Sequence, residues 1–362
     1  MTKNNEVYAV ILAGGSGTRF WPKSRLKEPK QLCKIGSQEQ TMIELTLDRL
    51  DGYIPASNRI IVTHQKQIEA TKAIVKDKAA HFIAEPEAKN TGAALALGAF
   101  AIKDISNDKN PIMMSFHADH LIQDQKMFLS TLQQAERVAR EGQLTLIGMK
   151  PAHPETGFGY IECGEMLETD AYKVKSFKEK PDFETATRYF KSGDFLWNSG
   201  LFVWSIHAFL DELREFLPNT LKELEAFNET LSKPLDESHC AALAPIYARL
   251  QNIAVDHAVL ECSDKTTVVK GSFPWKDVGS WGALTECFAT DQDENLLIGQ
   301  GHFFDCKGTV IDSDGPYVAA LGLQDMIVVS AKNAILVCPK SRSQDVKRIV
   351  EHLKENQMNS LI

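Results

Sequence analysis

Along most of this chain, apolar residues come in short blocks separated by polar turns and amphipathic stretches. Residues 7–12 (VYAVIL) form an apolar run that breaks at Gly14, Gly15 and Gly17, the pattern of a buried strand entering a tight turn. Thr41 and Glu44 have the spacing of a capping box, and Ile43, Leu47 and Leu50 behind them share one helical face. A strand is predicted at 59–63, a helix from about residue 65, a strand at 81–84, an alanine-rich helix from about residue 91 and an apolar strand at 111–116. Alternating strands and helices predict an α/β fold, Rossmann-like and doubly wound, with a mostly parallel sheet and helices on both faces.

The second half is more mixed. Strands are expected at 144–149, 160–162, 172–177 and 195–204, with helices between about residues 206 and 260, as an insertion walling one side of the sheet. Beyond Asp291 the blocks become short and β-rich, at 301–311, 317–321, 326–329 and 334–338, before a final helix from about residue 343. This change predicts a large domain over 1–290 and a small β-rich C-terminal domain over 291–362 that ends in a helix. A chain of 362 residues agrees with two units, because single cores stop growing at roughly 250–300 residues.

Composition narrows the class. With 43% hydrophobic and 24% charged residues, the chain is globular in character, and no apolar run approaches the ~20 residues needed to cross a bilayer. The polar stretch 1–6 leads straight into the first strand without the pattern of a signal or transit peptide, so the expected location is the cytoplasm and no membrane partner is expected. A net charge of -8 opposes a sequence-independent grip on nucleic acid but leaves room for a local cationic site. The seven cysteines are scattered and never in a C-x-x-C pair, which indicates neither a disulfide framework nor a structural zinc site.

Ligands of open parallel sheets bind at the carboxyl ends of the strands, so the turn after the first strand is where chemistry is expected. It reads AGGSGTRFWP over 13–22. Its glycines allow backbone N–H groups to approach a phosphate, yet Phe20 fills the third glycine position of a dinucleotide fingerprint, and Arg19 and Phe20 stand where a Walker loop needs glycine and lysine. Helix-terminus dipoles contribute only about 0.3–1 kcal/mol toward an anion, whereas a tenfold rate change takes about 1.4 kcal/mol. Fixed cations must therefore do the rest, and Arg19 and Lys30 are the candidates, the first with a planar fork suited to two phosphate oxygens.

At these residues the chain resembles the sugar-nucleotide pyrophosphorylases, whose signature is GxGTR, then Pro, then Lys. It is most similar to their mannose-1-phosphate guanylyltransferase branch, through ILAGGSGTRFWPKSR (11–25) with PKQ (29–31). Further matches in order are AEPEAKNTGAA (84–94), HADH (117–120), TGFGYIE (156–162), FKEKP (177–181), WNSGLFVW (197–204), VDHAVLE (255–261) and FPWKDVGSWGAL (273–284).

The resemblance implies a Rossmann-like nucleotidyltransferase, short and monofunctional, whose tail resembles a left-handed β-helix and helps form a homodimer. It implies transfer of GMP from GTP to mannose 1-phosphate, with Mg²⁺ as cofactor held by Asp119 and Asp277. Leu12, Gly14, Gly15, Ser16, Gly17, Thr18, Arg19, Lys30, Glu85, Asn90 and Thr91 would face the nucleotide, and Glu85 would accept from the guanine edge. Gly159, Glu179, Lys180 and Asn198 would face the sugar phosphate, with Lys180 on its phosphate. The residues themselves leave other readings open. An Asp at a strand end can simply cap a helix, His117 and His120 could ligate zinc, and Glu179 with Lys180 could be a solvated charge cluster. Asn90 and Thr91 could act only as caps, and Asn198, which interrupts an apolar strand, needs either a backbone or a ligand partner. A heptose 1-phosphate or another base remains an alternative within the same chemistry, and a non-catalytic sensor of the sugar nucleotide is the alternative outside it.

Overall fold

The computed structural model describes residues 6–36 and 39–362; the polar stretch 1–5, part of the N-terminal reading above, lies outside the described residues. The first strands are β1 (Val7–Leu12), β2 (Arg59–His64), β3 (His81–Glu85), β4 (Ile112–His117) and β5 (His120–Ile122). They are followed by β6 (Leu144–Met149), β7 (Tyr160–Glu168), β8 (Ala171–Lys178), β9 (Phe195–Ser205), β10 (Thr266–Lys270) and β11 (Trp275–Asp277). Nine of these form one sheet in the order β3-β2-β1-β4-β9-β6-β10-β8-β7. Strands β1 to β4 are mutually parallel, β9 opposes both β4 and β6, β10 runs with β6, and β8 opposes β10 and β7. Only β8 and β9 therefore point against the other seven, so the sheet is mostly parallel.

Alternation along the strands decides which helix covers which face. Tyr8 and Val10 of β1 pack in one apolar cluster with helix α3, while Ala9 and Ile11 pack in a second with α1, α2 and α4. These helices are α1 (Met42–Asp48), α2 (Ile68–Val75), α3 (Asn90–Ile105) and α4 (Gln125–Ala139). Helix α1 begins with the expected capping box: the Glu44 carboxylate accepts from Thr41 N at 2.9 Å and Thr41 Oγ1 accepts from Glu44 N at 3.4 Å. Gly98 of α3 lies so close to the sheet that a Cβ there would come within 2.8 Å of Val10.

The C-terminal region contains β12 (Leu296–Ile298), β13 (Gly301–Phe304), β14 (Val310–Ser313), β15 (Val318–Leu321), β16 (Met326–Ala331) and β17 (Ala334–Pro339). Strands β12, β14 and β16 stack in parallel, β17 closes against β16, and β13 pairs in parallel with β15. The single block expected at 301–311 is thus two strands in different sheets, divided by a turn with Asp305 and Gly308 at φ of 50° and 60°. The apolar interior of this region is continuous with the rest. Phe20, Trp21, Val278 and Trp281 share one cluster with Val310, Ile327 and Val350. No helix among the described residues is long and apolar enough to cross a membrane.

Candidate active site

The chain leaves β1 at Leu12 and enters the glycine turn, which neighbouring side chains hold in place. Gln31 donates to the carbonyls of Ala13 and Gly15 at 2.5 and 3.1 Å, Thr63 donates to Ala13 O at 3.0 Å, and Ser24 donates to Gly17 O at 2.7 Å. Gly17 sits at φ 56°, and a Cβ there would lie 2.6 Å from the backbone nitrogen of Lys30. Gly14 lies against Glu85, whereas the Cβ position of Gly15 meets nothing within 4 Å. A cavity of 270 Å³ opens there, lined by Leu12, Gly14, Gly15, Glu85, Asn90, Thr91, His117 and Asp119 among others. Ser16 and Thr18 turn away from it, into a narrow recess beside the C-terminal helix Val346–Glu355.

Two carboxylates distant in sequence meet through the smallest sheet. Strand β5 pairs antiparallel with β11 in a register that sets Asp277 opposite His120, next to Asp119. Lys30, its side chain 5% exposed, brings Nζ to 3.2 Å from Asp119 Oδ2 and 3.9 Å from Asp277 Oδ1. Burial opposes the charge on Asp119, but Lys30, His120 and His117 outweigh it and hold the carboxyl well below its usual range. Asp277 is pushed the other way, by burial and then by the Asp119 charge, against the pull of Lys30.

His117, Asp119 and His120 have ligand atoms within 4.8 Å of one another, so a metal could be sought there. His120 does not fit that role. Burial, then His117, drives its pKa well below the ordinary value, and its Nδ1 accepts from Trp275 Nε1 at 3.2 Å. A neutral imidazole that accepts at Nδ1 carries its proton on Nε2, which leaves no free lone pair on either nitrogen. His117 and the oxygens of Asp119 and Asp277 remain, and the two carboxylates are a donor set for a hard divalent cation that also binds phosphate oxygens and water. The Lys30 ammonium between them marks where positive charge is stabilised.

Asp277 also lines a second cleft of 490 Å³, together with Arg19, Lys180, Trp197 and Gln344. Lys180, at φ 44°, has its ammonium 3.1 Å from Glu179 Oε1. Glu179 Oε2 is buried without a hydrogen-bond partner, and burial followed by the charge of Asp256 raises the Glu179 pKa. Gly159 makes this packing feasible, since a Cβ would fall 2.3 Å from Glu179 Oε2 and 3.2 Å from Asn198. Asn198 has its partners inside the protein: Nδ2 donates to Asp256 at 2.7 Å and Oδ1 accepts from Gly200 N at 3.0 Å. The four residues expected around the sugar phosphate therefore come together; of those expected around the nucleotide, Leu12, Gly14, Gly15, Glu85, Asn90 and Thr91 share the first cavity, Gly17 and Lys30 pack on each other beside Asp119, Ser16 and Thr18 turn away, and Arg19 lies in the second cleft.

At the far end of the first cavity, helix α3 starts at Asn90, which has φ 65° and accepts from Thr91 N at 2.9 Å. The Thr91 hydroxyl does not cap the helix; it accepts from Val255 N at 2.9 Å and ties this loop to the chain before Asp256. Glu85, 6% exposed, accepts from the Tyr247 hydroxyl at 3.0 Å, and burial pushes its pKa up to about 7. Asp256, Tyr247, Gln31 and Gln344 were not singled out from sequence. Gln31 and Asp256 stand inside the motifs PKQ and VDHAVLE without having been given a role, and Asp256 is also a lone carboxylate within the apolar run 253–260, whereas Tyr247 and Gln344 lie outside every quoted motif.

Comparison with known proteins agrees with this architecture. Residues 8–294 match the family described as Nucleotidyl transferase, and residues 303–353 match the MannoseP isomerase/GMP-like beta-helix domain. The chain is 35% identical over 352 residues to a mannose-1-phosphate guanylyltransferase of Salmonella typhimurium, covering 97% of this chain and 73% of that protein. It is 34% identical over 357 residues to the mannose-1-phosphate guanylyltransferase of Escherichia coli K12, covering 97% and 74%. A crystal structure from Thermus thermophilus, named as mannose-1-phosphate geranyltransferase, superposes with a TM-score of 0.87 at 31% identity and covers 96% of this chain and 99% of that one. With a nucleotidyl-transferase match over most of its length and relatives above 30% identity along 97% of this chain, the chain belongs to the mannose-1-phosphate guanylyltransferase family of nucleotidyl transferases.

Proposed function

We propose that this protein transfers GMP from GTP to mannose 1-phosphate, giving GDP-mannose and pyrophosphate. One observation carries the reading: Lys30 joins two carboxylates, Asp119 and Asp277, each lining a different cleft. Such an arrangement lets a nucleoside triphosphate in one cleft meet a phosphorylated sugar in the other. A phosphate oxygen of the sugar attacks the α-phosphorus, the bond to the β-phosphate oxygen breaks, and pyrophosphate leaves. The attacking oxygen is ionised at neutral pH, so no protein nucleophile or base is needed and catalysis reduces to alignment and charge neutralisation.

In this reading the backbone of the turn from Leu12 through Gly14, Gly15, Ser16, Gly17 and Thr18 cradles the triphosphate, with the Ser16 and Thr18 side chains facing away from it. Lys30, between the two clefts, and Arg19, reaching from the second, hold its β- and γ-phosphates, and Lys180 grips the sugar phosphate. Glu85, Asn90 and Thr91 face the base, while Gly159, Glu179 and Asn198 shape the sugar pocket. Asp119 and Asp277 would hold Mg²⁺, which supplies neutralising charge to the phosphates when bound. Residues 1–290 form the catalytic domain and 291–362 the bracing one. The exposed apolar side chains of Leu321, Ile335 and Val337 support a homodimer. Seven free cysteines favour a reducing compartment such as the cytoplasm.

The test is pyrophosphate release over a panel of nucleoside triphosphates and sugar 1-phosphates, mannose, glucose and heptose among them. GTP with mannose 1-phosphate is expected to give the highest kcat/KM. Faster release with another pair would overturn the substrate assignment, and binding of GDP-mannose without any release would make the protein a sensor instead.

A further inference from the structure

The segment Lys340–Asp345, which follows β17, reaches the second cleft at two points. Gln344 Oε1 accepts a hydrogen bond from Arg19 Nη1 at 2.8 Å across 325 positions of sequence. One residue earlier, Ser343 Oγ lies 3.1 Å from Ser280 Oγ in a buried contact, three residues beyond Asp277. Gly282 of the same loop approaches so closely that a Cβ would sit 2.8 Å from Ser343 Oγ. Gln344 itself lines the cleft with Arg19, Lys180 and Asp277.

We propose that Gln344 is a positioning residue that aims the Arg19 guanidinium into the cleft, so that the C-terminal region completes the active site. The inference rests on the reading above, in which Arg19 holds substrate phosphates. A guanidinium has five N–H donors; Gln344 occupies one and brings no charge, which leaves four for phosphate oxygens. A free arginine must surrender rotamer freedom at each binding event, and an arginine already held does not. A carboxylate at this position would hold the fork as firmly but would compete with phosphate for its charge. The neutral amide is therefore suited to aiming the arginine without quenching it.

The full chain and its Q344A and Q344E variants would be compared by pyrophosphate-release kinetics, by calorimetric affinity for inorganic pyrophosphate and by Tm. For Q344A, kcat/KM for GTP and the pyrophosphate affinity are both expected to fall roughly five- to tenfold, the scale of one lost hydrogen bond, at unchanged Tm. Q344E should match or exceed Q344A in Tm, because its ion pair keeps the two regions joined, and yet be the less active of the two. A purely structural contact would rank Glu above Ala in both. In an Arg19→Ala background, Q344A should have no further effect. Wild-type kinetics and pyrophosphate affinity in Q344A, or wild-type activity in Q344E, would overturn the proposal. If the unmodified protein released no pyrophosphate from GTP and mannose 1-phosphate, the assigned reaction would fail while pyrophosphate affinity still judged Gln344. Absence of pyrophosphate binding to the unmodified protein would overturn this inference as well.

Discussion

Glu85 is a residue whose stability and activity should pull in opposite directions. Its carboxyl titrates at about 7 in the folded protein against an ordinary 4.5. Between those pH values the unfolded chain ionises at this site and the folded one does not, so Glu85 costs nothing at low pH, destabilises progressively as pH rises from about 4.5 to about 7, and keeps that constant cost at higher pH. Glu85→Gln keeps the acceptor for Tyr247 and removes the charge. Its unfolding free energy should equal that of the unmodified protein near pH 4 and exceed it by on the order of 3 kcal/mol at pH 8. If the carboxylate accepts from guanine as proposed, the same variant should lose roughly 10- to 100-fold in kcat/KM for GTP. Urea melts at both pH values, run beside kinetics, check the pair; a constant stability gap would place no buried charge at Glu85. Asp277→Asn should instead lose most turnover with its fold intact, and full activity at limiting Mg²⁺ would remove Asp277 from the site. Both acids were legible in sequence because they stand at the ends of apolar strands or inside recognisable motifs. Tyr247 and Gln344 act through tertiary contacts that leave no local pattern.

Among the elements, those with periodic signal were the legible ones. Strand β1 and its glycine break, the capping box of α1 and the parallel half of the sheet could all be read from spacing. Helix α4 carries the same kind of signal at Phe128, Leu132, Ala135 and Val138, with Asp124 as its cap, and could have been read from it. The pairing of β5 with β11 could not, because three-residue strands are too short to show alternation, and the two are separated by α4, four further α-helices and five strands of the main sheet. That pairing is nevertheless what brings Asp277 beside Asp119. The glycine turn allows a sharper test, since two of its glycines should fail differently. Gly17→Ala adds a Cβ at positive φ, 2.5 Å from Lys30 Cβ, and should cost about 1–3 kcal/mol while displacing Lys30 and lowering kcat at least tenfold. Gly15→Ala meets nothing in the protein and should leave stability within about 0.5 kcal/mol while raising KM for GTP, because its methyl enters the cavity. Equal effects of the two substitutions on unfolding would contradict this account of the turn.

At the scale of the whole molecule, the composition change near residue 290 was visible in the sequence, but the connection across it was not. Lys23, from the run after the glycine turn, extends a buried ammonium to Asp312 on β14 at 2.8 Å and to Asp314 at 3.0 Å. Trp21 Nε1 donates to the carbonyl of Leu361 at 2.7 Å, and Arg25 donates to Asn333 at 3.2 Å, so the segment that carries Arg19 is tied to the C-terminal region on several sides. Asp312 is fully buried, and removing its partner would strand a charge, which typically costs about 3–5 kcal/mol. Lys23→Met should therefore lower unfolding stability by that amount. Adding Asp312→Val removes the stranded charge and places a β-branched side chain on a strand, so the double variant should recover most of the loss. If Arg19 depends on the C-terminal region for its aim, activity in the single variant should fall before global unfolding sets in, as temperature or urea loosens that region. Kinetics and fluorescence followed through one urea titration would separate the two events. A double variant no more stable than Lys23→Met would mean that the ion pair holds the interface through geometry that apolar packing cannot replace.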